Sequence, residues 1–136
     1  MRKLTLGFGA IIGALAIFAV AAHAETKEPN EKFKRLTVDE VEALVKTGSV
    51  NVYDCNSPDR FKKGHVPTAK LYSIVDEKPK GLPADKAAPL VFYCGNTHCM
   101  ACHQGADQAI EAGYTNVAIM PEGIAGWEKA GKAVEK

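Results

Sequence analysis

The sequence has no dominant charge. Its 17 lysines and arginines against 16 aspartates and glutamates leave a formal net charge of +1 over 136 residues. A strongly basic nucleic-acid binder and an acidic tail protein are therefore not expected. There is no internal repeat and no low-complexity tract. Four cysteines are too few for a disulfide-dense scaffold. Basic side chains are also missing from one particular segment, with no lysine or arginine from Val91 to Gln108. What remains is a globular composition, 46% hydrophobic and 24% charged, at the length of one domain.

The longest apolar stretch lies at the N-terminus. Arg2 and Lys3 precede Leu4 to Val20, which Gly and Ala dilute, and Ala22-His23-Ala24 forms a small-x-small site before polar Glu25. This pattern predicts a secretory signal peptide over residues 1–24, cleaved after Ala24. The apolar run is short for a membrane span. No cysteine near the cut offers a lipid anchor, so no membrane attachment is expected after cleavage. The expected compartment is a periplasm, where thiols meet oxidants.

Residues 25–35 are charged and contain Pro29, which reads as a flexible lead-in to one domain over 36–136. Thr37-Val38-Asp39-Glu40 is a capping box. Val38, Val41, Leu44 and Val45 follow at helical spacing, and Gly48 is a stop. Ser49 to Asp54 alternates as a short strand. Pro58 to Lys63 reads as a short helix closed by Gly64, and Ala69 to Ile74 as another strand. Residues 75–88, with Pro79, Gly81 and Pro83, read as a surface loop. Leu90-Val91-Phe92-Tyr93 is too short for a helix and suits a strand buried on both faces of a parallel sheet. A helix is expected over 100–112, a strand over Asn116 to Met120, and a last helix near Ile124 to Lys129. Such alternation argues for an α/β layer fold with a mainly parallel sheet, whose active sites lie beyond the carboxyl ends of the strands.

Cys94 falls at such an end, and three of the four cysteines crowd into positions 94 to 102. A cysteine between a buried strand and a helix start has a physical reason to react. Loop N–H groups can converge on its sulfur, and the helix adds positive potential, both of which favour the thiolate. Gly95 and Asn96 tolerate the unusual backbone angles of a curled loop.

Three stretches resemble the rhodanese-like domains, and the resemblance covers roughly Thr37 to Gly131. Asn51 to Asp54 with Arg60 to Ala69 looks like the family's first block. Val91 to Cys94 looks like the strand presenting the catalytic cysteine. Gly113 to Val117 with Glu122-Gly123-Ile124-Ala125-Gly126-Trp127 looks like the closing block. The resemblance implies a central, mainly parallel five-stranded sheet flanked by helices, and a sulfurtransferase without a cofactor. Cys94 would take a sulfane sulfur as a persulfide and pass it on. The N–H groups of the loop Gly95, Asn96, Thr97, His98 and Cys99 would stabilise thiolate and persulfide. The implied partners are a small sulfur donor and a thiol or thiophilic acceptor, and a monomer is expected.

The chain departs from the family at the sixth loop position, often an arginine that binds thiosulfate and here Cys99. A charge-assisted contact worth about 1.5–3 kcal/mol is lost, so polysulfide or a protein persulfide is the expected donor. Cys99 and Cys102 could resolve the persulfide or protect Cys94 from over-oxidation. Cys99-Met100-Ala101-Cys102-His103 also matches the c-type haem attachment pattern, with Met100 or Met120 as a second axial ligand. That makes an electron carrier the alternative. A zinc site from Cys94, Cys99, Cys102 and His98 or His103 is a further reading, as is a non-catalytic binding or thiol-redox module on the same scaffold.

Asp54, at a strand end, is expected to hold loop or neighbouring backbone. Asn56 stands where the family often has an arginine. His65 is expected to bond backbone, Cys55 to be buried, and Trp127 and Tyr114 to be core aromatics.

Overall fold

The computed structural model describes residues 32–136. The expected signal peptide and most of the expected lead-in lie outside the described residues. In chain order the elements are β1 (Lys34–Arg35), α1 (Val38–Thr47), β2 (Asn51–Asp54), α2 (Pro58–Lys63), β3 (Lys70–Leu71), β4 (Leu90–Tyr93), α3 (Ala101–Glu111), β5 (Val117–Met120) and α4 (Gly123–Lys129). The strands form one sheet in the order β1-β5-β4-β2-β3, and every pairing is parallel.

Local chemistry starts and stops the helices as the sequence implies. At α1 the Thr37 side chain accepts from the Glu40 N–H at 3.3 Å, and the Glu40 carboxylate accepts from the Thr37 N–H at 2.7 Å. At α2 the Ser57 side chain accepts from the Arg60 N–H at 3.3 Å, with Pro58 in the first turn.

The four residues of β4 are all buried and alternate between two cores. Leu90 and Phe92 pack with Cys102, Ala106 and Ala109 of α3. Val91 and Tyr93 pack with Val41 of α1 and with Ile124 and Trp127 of α4. The central strand is thus covered on both faces, which explains why its sequence is an unbroken apolar run.

Three sequence expectations need correction. The lead-in does not extend to residue 35. Phe33 is buried in the α3-side core, and Lys34 and Arg35 pair with Ala118 and Ile119. A two-residue edge strand is too short to show an alternation. The strand expected over Ala69–Ile74 is only Lys70–Leu71, because Gln108 binds the following segment to α3: its Nε2 donates to the Ile74 carbonyl, and its Oε1 accepts from Tyr72 Oη. The helix expected over 100–112 runs from Ala101 to Glu111.

Candidate functional site

Three parallel strands end together. Tyr93 of β4 lies between Asp54 of β2 and Met120 of β5 in the sheet register. Cys94 follows Tyr93 directly, at the carboxyl end of the central strand. Its loop folds back on itself: the Cys99 N–H donates to the Asn96 carbonyl, and the His98 N–H to the Asn96 side chain, both at 3.0 Å. Asn96, Thr97 and His98 are exposed and Cys99 is half-buried.

The loop is clamped from behind by α4. The Ile124 N–H donates to the Cys94 carbonyl at 2.9 Å and the Ala125 N–H to the Gly95 carbonyl at 3.0 Å. This approach requires a glycine just before Ile124. Gly123 has φ +62, and a β-carbon there would meet the Cys94 oxygen at 2.4 Å. The expectation that Gly95 and Asn96 supply the unusual angles is therefore corrected. Neither has positive φ, and the special conformation lies across the site at Gly123.

The electrostatics of Cys94 also differ from the sequence expectation. The residue is fully buried, and its thiol donates to the Cys99 carbonyl at 3.3 Å. The neighbouring Cys102 side chain, and then burial, push its pKa well up and keep it a thiol; the Cys99 side chain and the Cys102 N–H act the other way. Backbone stabilisation thus comes from Cys102 at the start of α3, while the His98 and Cys99 N–H groups are committed to Asn96.

All four cysteines are reduced and lie on the α3 side of the sheet. Cys55, Cys94 and Cys102 share the core cluster there, with Cys99 packed against it. Burial, and then the electrostatic influence of neighbouring Cys94, push the Cys55 thiol up. The Cys102 sulfur lies 3.5 Å from Nδ1 of His103.

Asp54 is fully buried and takes two donors, the Asn56 N–H at 2.7 Å and Tyr93 Oη at 2.5 Å. Tyr93 Oη in turn accepts from the Val66 N–H at 3.1 Å. This chain ties the ends of β2 and β4 to the segment before β3. Asn56 reaches the loop itself: its Oδ1 would lie 3.5 Å from a β-carbon on Gly95, and its Nδ2 is buried without a partner. His65 belongs to a different contact set. Its Nδ1 bonds the Phe61 carbonyl at 3.0 Å, its ring stacks on Phe61, and its backbone pairs with Glu135.

Sequence reasoning missed Tyr93 and Gly123 as parts of the site. Gly123 lay in the closing block, but its contact across the sheet has no local signature. A cavity of about 200 Å³ lined by Ser49, Pro89 and Asn116 opens at the amino ends of the strands, away from Cys94.

Haem does not fit the Cys99–His103 segment. Two thioether bonds need both sulfurs open to one large pocket, whereas Cys102 is wholly buried, with Nδ1 of His103 3.5 Å from its sulfur. Among the described residues no group of three or more His, Cys, Asp or Glu side chains is arranged to hold a metal ion.

Residues 37–130 match the family model described as Rhodanese-like domain. The chain belongs to the rhodanese-like family. This rhodanese-like domain is 28% identical over 121 residues to the uncharacterized protein YibN of Escherichia coli K12, covering 85% of this chain and 82% of that one. It is 24% identical over 98 residues to the thiosulfate sulfurtransferase GlpE of Pseudoalteromonas translucida, covering 72% and 91%. The solution structure of the rhodanese-like domain of the Anabaena protein Alr3790 superposes with a TM-score of 0.61 at 18% identity, covering 74% and 77%. The five-stranded parallel sheet with flanking helices is the fold this family shares.

Proposed function

We propose that this rhodanese-like domain is a periplasmic sulfurtransferase that carries sulfane sulfur as a persulfide on Cys94. Polysulfide or a protein persulfide is its donor in preference to thiosulfate. It acts as a monomer after loss of residues 1–24, without a cofactor, and Cys99 or Cys102 resolves the persulfide. The observation that carries the reading is Cys94 at the carboxyl end of the central strand, packed in one cluster with Cys102 and Cys99 in a segment without lysine or arginine.

In the forward step Cys94 loses its proton and its sulfur attacks a sulfane sulfur of the donor. The donor S–S bond breaks, the shortened donor leaves with the electron pair, and the protein holds an outer sulfur on Cys94. Transfer reverses the roles, with an acceptor thiolate attacking that outer sulfur. Donors of this kind carry no sulfonate, so the missing guanidinium costs them nothing.

Intact mass after brief exposure to polysulfide, under non-reducing conditions, tests this reading. A gain of one sulfur atom that disappears with added thiol and is absent in Cys94→Ser is the expected result. Loss of paired hydrogens with no sulfur gain would replace it by a thiol-redox switch.

A further inference from the structure

Cys94 and Cys102 are both fully buried in the α3-side core, whereas Cys99 packs against that core from a half-buried position. The Cys102 side chain favours the protonated form of Cys94, and the Cys99 side chain favours the charged form.

Only one of these two thiols has a base against it. His103 Nδ1 lies 3.5 Å from the Cys102 sulfur, and among the described residues no imidazole hydrogen-bonds Cys99. The His103 ring is held edge-on by the buried Phe33, with centroids 5.6 Å apart. His98, the other imidazole of the segment, is exposed and faces Thr97. The His103 nitrogen thus lies against the Cys102 sulfur, and Cys102 shares its buried cluster with Cys94.

We infer that Cys102 is the thiol that discharges the Cys94 persulfide, with His103 as its general base, so that the protein releases sulfide and requires a dithiol to complete its cycle. This rests on the persulfide reading given above. His103 Nδ1 takes the Cys102 proton, and the Cys102 sulfur attacks Cys94 Sγ. A bond forms between the two Sγ atoms, and the bond from Cys94 Sγ to the outer sulfur breaks. The outer sulfur leaves with the electron pair as hydrosulfide and takes the proton from His103. The sulfane sulfur is reduced to sulfide, and the two thiols are oxidised to one disulfide. An external dithiol reduces that disulfide by exchange and leaves as its own disulfide.

The acceptor class follows from this chemistry. A single thiophile such as cyanide would remove the outer sulfur and bypass Cys102. A dithiol, small or carried on a reductase, regenerates both cysteines in consecutive exchanges.

A single-turnover experiment tests the inference. The reduced protein is loaded with polysulfide, freed of excess reagent without added thiol, and quenched in acid at intervals. Mass, free sulfide and the disulfide peptide are then read. Wild type is expected to release one equivalent of sulfide and to end with a Cys94–Cys102 disulfide. Cys102→Ser and Cys102→Ala, two variants of different polarity at a buried position, should retain the added sulfur at least about 100-fold longer, until external thiol is supplied. His103→Ala should slow release by about 100-fold, and imidazole in the buffer should restore it. The inference is overturned if the Cys102 variants release sulfide at the wild-type rate, if the disulfide maps to Cys94–Cys99, or if imidazole has no effect on His103→Ala. Failure of wild type and both Cys102 variants to gain sulfur at all would overturn the persulfide reading itself, and this inference with it.

Discussion

Gly123 stands so close behind Cys94 that a β-carbon on it would lie 2.4 Å from the Cys94 carbonyl oxygen. The contact lets α4 donate the Ile124 and Ala125 N–H groups to the Cys94 and Gly95 carbonyls. Gly123→Ala adds that clash to a backbone at φ +62, which an alanine adopts only with strain. It should destabilise the fold by about 2 kcal/mol or more, read from urea unfolding, and displace the cysteine loop. An unchanged unfolding midpoint would show that the loop moves freely away from α4.

Tyr93→Phe should be costly for a different reason. Its hydroxyl donates to Asp54 and accepts from the Val66 N–H. The phenylalanine fits the same space but leaves two buried polar groups without this partner, at about 1–3 kcal/mol each. A denaturation series comparing the variant with wild type at neutral pH measures the loss.

The raised thiol pKa values have a consequence for alkaline stability. Folding pushes Cys55 and Cys94 above their ordinary 9.0, so the unfolded chain loses these protons first as pH rises. The unfolded state then binds fewer protons than the native state, and stability falls with pH. The contribution of these thiols is complete below pH 9 and declines above it, by up to about 1.4 kcal/mol per thiol per pH unit. Melting temperatures between pH 7 and pH 10.5 should show the decline, and Cys55→Ala should make it shallower. A flat profile above pH 9 would contradict the burial of both thiols.

Alkylation separates the influences on Cys94. In wild type, iodoacetamide should modify Cys94 slowly at pH 7.5 and faster with increasing pH, because the thiolate is the nucleophile. Removing the Cys102 side chain takes away the largest influence that holds Cys94 protonated, yet keeps the Cys102 backbone N–H that favours the thiolate. Cys102→Ala should therefore shift the alkylation profile to lower pH. A shift the other way would show that the Cys102 side chain favours the Cys94 thiolate.

Thiosulfate turnover should be weak, and Cys99→Arg should raise it. The substitution restores a guanidinium at the sixth loop position, a charge-assisted contact worth about 1.5–3 kcal/mol, or about a 10-fold to 150-fold gain. Cyanide-coupled thiosulfate assays on both proteins decide the matter. Wild-type turnover equal to that of the arginine variant would remove the argument against thiosulfate as the donor.

Much of the architecture is written in short-range signals. Thr37 and Glu40 satisfy each other's backbone within one turn. The run Leu90–Tyr93 has no polar position because both faces of the central strand are covered. Cys94 follows that strand, and a cysteine after the middle strand of a parallel sheet must lie at its carboxyl end. These features depend on neighbours a few residues away or on a single periodicity, so the linear order contains them. The edge strand at Lys34–Arg35 does not, because its two residues are set by pairing with β5 and by the burial of Phe33.

The chemistry of the site was decided by the tertiary structure. Sequence spacing placed Cys99 and Cys102 equally as partners for Cys94 and predicted a loop that lowers the Cys94 pKa. The fold instead buries Cys94 beside Cys102, hydrogen-bonds its thiol to the Cys99 carbonyl, sets His103 against Cys102, and commits the His98 and Cys99 N–H groups to Asn96. It also places the required glycine at Gly123 and not in the loop. The charge on a thiol depends on which groups share its proton and how much water reaches it. Both are properties of side chains brought together across elements, and no ordering of residues along one chain contains them.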